Sequence, residues 1–212
     1  MARQILARFD KRIYTPRALC TTFRWMVAES DSLRSAMRSD RISRAFSERI
    51  MLAVTAVNGC RYCSYAHTRM ALQNGLSADE VRRLLAGEIG EVAPEEVPAL
   101  LFAQHYAESG ELPAAEALQE LRDVYGSGMA AEILTHVRMI TMGNLSGNTI
   151  DALLSRLRGV PAGGSTLGRE LLVLLMLFVG TPFAALAVMT KRAWQAVRWG
   201  GRRSSASHGG MA

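Results

Sequence analysis

Cysteine is scarce in this chain, with three thiols among 212 residues. An odd and small number excludes the disulfide-stapled scaffold of small secreted domains. Aromatic residues are few as well, at 7%, and nowhere do they interleave with basic residues as on nucleic-acid-binding surfaces. The net charge of +6 is concentrated before residue 45 and after Lys191, whereas 79–123 is acidic. With no zinc-finger or other recognition motif, nucleic acid is not an expected partner. No segment alternates apolar and polar residues in the strand manner, and no glycine-rich loop follows a strand, so neither a sheet nor a bound organic cofactor is expected. No apolar leader with a small-residue cleavage site opens the chain, and the expected location is cytoplasmic.

What is present is apolar residue, 49% of the chain, enough for one full core. Helix signals recur along it. Caps, glycines and prolines predict a basic amphipathic segment over about 2–13, then helices over about 16–29 from Thr15-Pro16, 32–38, 42–57 and 60–74. The capping box Ser77-Ala78-Asp79-Glu80 opens a helix ending near Gly87. Further helices run from Glu95 to Ser109, from Pro113 to Tyr125-Gly126, and as a pair, 128–142 and 144–157, turning at Gly143. The expected fold class is all-α, a helical bundle.

The run Asn58-Gly59-Cys60-Arg61-Tyr62-Cys63-Ser64-Tyr65-Ala66-His67 holds a C-x-x-C-x-x-x-H pattern. On a helix, positions 60, 63 and 67 fall at about 0°, 300° and 340° around the axis, so two thiols and an imidazole share a face. Cys60 lies where unpaired backbone N–H groups and the helix dipole favour thiolate. His67 is one turn beyond Cys63, which makes Cys63 its expected partner. Upstream, Glu48 is the only acid between Asp40 and Asp79 and stands at the head of an apolar helix. An antiparallel return of the next helix brings it to His67, where it would hold the ring's tautomer. Glu48, His67, Cys63 and Cys60 are thus the candidate catalytic residues.

A Glu, about eleven residues, and then C-x-x-C-x-x-x-H resembles the redox branch of the alkylhydroperoxidase D and carboxymuconolactone decarboxylase-like family. The likeness continues through Gly75-Leu76-Ser77-Ala78-Asp79-Glu80 and covers about 40–160. It implies an all-α bundle, commonly a homo-oligomer, in which Cys63 attacks a hydroperoxide and Cys60 closes the disulfide. It also implies an external dithiol reductant, lipoyl-bearing or thioredoxin-like. Redox members carry a histidine immediately before the second cysteine, where this chain has Tyr62; a phenol cannot shuttle protons at neutral pH as an imidazole does. The decarboxylase branch does without the thiol pair.

The expectation is therefore a thiol-dependent reductase of hydroperoxides or disulfides. Two alternatives stand beside it. One is a membrane-linked redox sensor or scaffold, and the other a structural zinc protein in which Cys60, Cys63 and His67 are joined by Cys20, His105 or His136. Cys20, without a neighbour of its kind, reads as a buried small apolar residue.

Two features lie outside the motif. A shift that carries Glu48 onto Glu132 also carries Gly59 onto Gly143 and Gly75 onto Gly159, as if the motif's helix pair had an inactive copy in which Asn144, Gly147 and Asp151 replace the thiols and histidine. Toward the C-terminus, Leu171–Thr190 is uncharged and is interrupted by Gly180-Thr181-Pro182. Basic residues flank it on both sides, and Trp194 and Trp199 follow. This pattern predicts an apolar hairpin touching the inner membrane leaflet, or a buried oligomer contact. The expected organisation is a helical domain over 1–160, the hairpin over 161–199, and a disordered tail over 200–212.

Overall fold

In the computed structural model, which describes residues 9–90 and 92–207, eight helices follow one another and there is no strand among the described residues. They are α1 (Pro16–Ala28), α2 (Ser30–Arg38), α3 (Arg44–Asn58), α4 (Arg61–Gln73), α5 (Ala78–Leu85), α6 (Val97–Glu108), α7 (Ala115–Leu157) and α8 (Leu167–Ser207). The all-α expectation holds. Most boundaries lie where local chemistry puts them. Thr15 caps α1 by accepting from the Ala18 N–H with Pro16 behind it, Ser43 accepts from Phe46, and Ser77 from Glu80.

Helix α3 is the axis of the bundle and packs against α4, α5, α6 and α7. Ile50, Leu52, Ala53 and Val54 are fully enclosed on it. Such burial on nearly every side explains why its sequence is apolar without a clear polar face. A smaller cluster, Tyr14, Leu19, Leu145 and Val173, joins α1, α7 and α8.

Five expectations are corrected. The helix pair expected to turn at Gly143 is a single stretch of α7, which departs from helical geometry only at Gly126 (φ 71°, ψ 162°); a glycine with helical dihedrals needs no turn, so 128–157 is not a second helix pair. The hairpin expected over 161–199 is one continuous helix, α8, with Pro182 inside it. Residues 200–207, expected as disordered tail, continue that helix, and 208–212 lie outside the described residues. Of the N-terminal segment expected over 2–13, residues 9–13 are not helical and Phe9 bridges to Ala162, while 2–8 lie outside the described residues. Cys20, expected to be buried, is exposed.

The reason α8 does not break is packing. A Cβ at Gly180 would lie 2.5 Å from Cε2 of Phe23, so the glycine is the notch that admits this ring from α1. Along the same side, Glu170, Val173, Leu177, Gly180, Ala184, Ala187 and Lys191 recur at spacings of three and four and form the covered seam. Glu170 pins the head of α8 through two bonds to Arg156, 2.9 and 2.7 Å. Lys191 donates to the Ala28 carbonyl at the C-terminal end of α1, 2.8 Å. Gly180→Leu is expected to destabilise the fold by about 1–3 kcal/mol through overpacking. Denaturant unfolding in a Phe23→Ala background should show a smaller penalty; equal penalties would separate the two residues energetically.

Candidate active site

The thiol motif is built at the turn between α3 and α4. Gly59 ends α3 in the left-handed region (φ 66°), and Cys60 is the N-cap of α4, its Sγ accepting the Cys63 backbone N–H at 3.3 Å. Helix α4 then returns antiparallel along α3. One turn into α3 and two turns into α4, Glu48 Oε2 meets His67 Nδ1 at 2.8 Å. The side chains are only 12% and 16% exposed. With Nδ1–H donated to the carboxylate, Nε2 is the ring's proton acceptor.

The two thiols differ in burial and in acidity. Cys60 is fully buried, whereas Cys63 is partly open. The Cys63 S–H donates to Cys60 and, against the opposing effect of burial, lowers the Cys60 thiol to about 7, helped by the Cys63 and Tyr62 backbone N–H groups and the charge of Lys11. Cys63 is pushed far up, first by that same bond, then by burial and the neighbouring charge. The two thiols therefore titrate as a unit, Cys60 favoured as the thiolate and Cys63 as the thiol. Cys63 directs its proton to Cys60, and both Cys63 and His67 line the same cavity.

The opposite wall comes from α7. A Cβ at Gly147 would lie 2.8 Å from Cys60 Sγ and 3.3 Å from Tyr62 Cδ2, and one at Gly143 would lie 3.9 Å from Cys63 Sγ. The glycines that read as a turn and an inactive copy are instead the surface on which the real thiols rest. Beside them Asp151 binds Lys11 Nζ at 2.8 Å and Arg61 at 2.6 Å. Asn148 Nδ2 donates to the carbonyls of Asn58, 2.8 Å, and Arg12, 2.9 Å, which ties the thiol turn to the segment bearing Lys11. Asn144 Oδ1 accepts from Thr55 on α3 at 3.2 Å. Glu132, the counterpart of Glu48 in the supposed copy, is buried and paired with Arg41, Nε at 3.0 Å.

Between α4 and α7 opens a cavity of about 440 Å³ lined by Met51, Tyr62, Cys63, Ala66, His67, Met139, Ile140, Gly143, Gly147 and Ile150. Cys63 and His67 reach it and Cys60 does not. Tyr62 is engaged by its neighbour: its hydroxyl accepts from Arg61 at 2.8 Å and its ring carries that guanidinium at 4.8 Å. Among the described residues no three His, Cys, Asp or Glu side chains are grouped to hold a metal ion. Cys20 and His105 have no place at the motif: the first is exposed on α1, and the second accepts the Ala114 N–H at 3.3 Å. His136 bonds the Glu132 carbonyl within its own helix.

The residues missed from sequence are Gly147, Gly143, Asp151 and Lys11. A pair of glycines four apart on a helix that otherwise follows the apolar period is the signal that could have found the first two, since it marks a face open to close approach.

The sequence profile of the carboxymuconolactone decarboxylase family matches residues 21–108 of the chain. The match runs from within α1 to the last residue of α6 and includes Glu48, Cys60, Cys63 and His67; the wall that α7 contributes lies beyond it. Members of the family are enzymes, both carboxymuconolactone decarboxylases and alkylhydroperoxidase D-type peroxidases. No curated protein is a match for the chain.

Proposed function

We propose that the chain is a thiol-dependent oxidoreductase that reduces hydroperoxides, those with an apolar substituent above all, by cycling Cys60 and Cys63 between dithiol and disulfide. The observation that carries this reading is the ordering of the site. Cys63 and His67 face one apolar cavity, Glu48 orients His67 from behind, and Cys60 waits buried beneath Cys63. A decarboxylase has no use for a thiol pair arranged in this way.

The chemistry follows from where the protons are. As substrate enters, Nε2 of His67 takes the Cys63 proton, and the imidazolium so formed is stabilised by Glu48. The Cys63 thiolate attacks the terminal peroxide oxygen, the O–O bond breaks, and the departing alkoxide takes the proton from His67 and leaves as alcohol. Cys63 is now a sulfenic acid. The Cys60 thiolate attacks its sulfur and expels hydroxide, which is protonated to water. Two electrons have passed from the thiols to the peroxide. An external dithiol, lipoyl-bearing or thioredoxin-like, supplies two electrons to reopen the disulfide and is not a bound cofactor.

The test is a thiol count on the reduced protein, which holds Cys20, Cys60 and Cys63 free. One equivalent of cumene hydroperoxide should consume two thiols, join Cys60 to Cys63 in the peptide map, and leave Cys20 as the remaining free thiol. Addition of dihydrolipoamide or reduced thioredoxin should restore the count. Persistence of all three thiols would sink the proposal.

A further inference from the structure

From Leu171 to Thr190 helix α8 carries no charge, and only the seam against α1 and α7 is covered. The remainder is open: Leu171, Leu175, Phe178, Phe183, Leu186 and Met189 are all exposed, Phe178 by 83% and Phe183 by 67%. At 100° per residue these six span an arc of about 140° on the side away from the seam. A continuous apolar face of this kind is a contact surface waiting for an apolar phase.

Three observations say which phase. The only two hydroxyls on the stretch are already used within the helix, Thr181 donating to the Leu177 carbonyl at 2.6 Å and Thr190 to the Ala187 carbonyl at 3.0 Å, as a hydrocarbon environment requires. Both ends are basic: Arg156, Arg158 and Arg169 precede it, and Lys191, Arg192, Arg198, Arg202 and Arg203 follow. A second copy laid on this face, parallel or antiparallel, would bring positive ends together, whereas anionic headgroups neutralise them. The open arc is also broader than the single seam by which two helices pair.

Leu167–Lys191 is 25 residues long with only 11% of its apolar window buried, enough by length and composition to cross a bilayer. The covered seam argues for a different pose. Phe23 enters the Gly180 notch and Lys191 holds the end of α1, so α1 runs beside α8 along most of this length. Spanning would take the exposed Arg17 and Arg24 of α1 into hydrocarbon. We infer that α8 lies in the plane of an anionic membrane surface, its open face sunk to the acyl boundary, with α1 keeping the opposite seam and Trp194, 65% exposed, at the interface.

The test uses the full chain and does not involve the thiols, so it stands or falls apart from the redox reading. Vesicles of phosphatidylcholine with phosphatidylglycerol should sediment the protein, with its tryptophan emission shifting to the blue unless Trp194 is replaced by Phe, and neutral vesicles or high salt should do so far less. Phe178→Glu with Phe183→Glu, both at open positions, should melt as the parent does and bind at least about tenfold more weakly. Arg169→Cys and Ala28→Cys, which mark the two ends of the stretch away from its open face, should each be labelled at the new cysteine, read by peptide mapping, when an impermeant maleimide is added outside the vesicle. Failure to sediment, or equal binding by the double variant, overturns the inference. So does an oligomer that the double variant splits, which would make the face a self-contact, or protection of one labelled end, which would make α8 a span.

Discussion

Replacing Cys63 by alanine is expected to abolish hydroperoxide-driven oxidation, a loss on the order of 10³-fold or more, because among the described residues no other thiol lines the cavity. Cys60→Ala should leave the first step intact and stop at a Cys63 sulfenic acid, visible as a dimedone adduct in the mass spectrum. The reverse pattern, with consumption lost in Cys60→Ala and kept in Cys63→Ala, would make the buried thiolate the nucleophile. Ionisation should separate the roles a second time. Cys60 owes its value of about 7 first to the S–H of Cys63, so in Cys63→Ala its thiolate should form only at higher pH. Cys63 is held up first by its bond to Cys60, so in Cys60→Ala its thiolate should form at lower pH than in the parent. Thiolate absorbance against pH reads both directions in one experiment.

Gly147→Ala and Gly143→Ala should differ in sign, although both place a methyl on the same face of α7. Helix propensity favours each change by up to about 1 kcal/mol. At Gly143 the new Cβ meets Cys63 Sγ at 3.9 Å, an ordinary contact, so the variant should be neutral or slightly more stable. At Gly147 it meets Cys60 Sγ at 2.8 Å, and a fully buried cysteine has no room to retreat. A net destabilisation of about 1–3 kcal/mol is expected there, together with a slower reaction, because Cys60 and the Cys63 N–H that supports it must move apart. Denaturant unfolding of both variants checks the signs; a stable, fully active Gly147→Ala would deny α7 its part in placing the thiols.

These two glycines also mark the limit of what could be read from the chain. The helices were legible where a local group ends them: Thr15-Pro16, the Ser77 box and Gly59 act on their immediate neighbours, and the structure follows them. The Glu48–His67 bond was legible because a glycine turn between two helices of similar length leaves few ways to return. Gly143 and Gly180 were misread for a single reason. Glycine serves both a backbone that must bend and a neighbour that must come close, and only the partner, Cys63 in one case and Phe23 in the other, tells which. Lys11, Asp151 and Arg61 carried no signal, since a charge network closed by tertiary structure has no period in sequence. The bond from the Cys63 thiol to Cys60 carried no signal of its own, since helical spacing pairs Cys63 with His67 and says nothing of how two thiols share a proton.

The bond from Asn148 to Asn58 joins residues 90 positions apart, and that interval is also a duration. The thiol turn leaves the ribosome first, and at about 5–20 residues per second the helix that seals it emerges roughly 5–20 s later. During that time Cys60 and Cys63 belong to an unfinished chain, without the glycine wall, without Asp151, and without the anchored Lys11 that steadies the charge. The newborn protein therefore spends its first seconds as an unguarded dithiol.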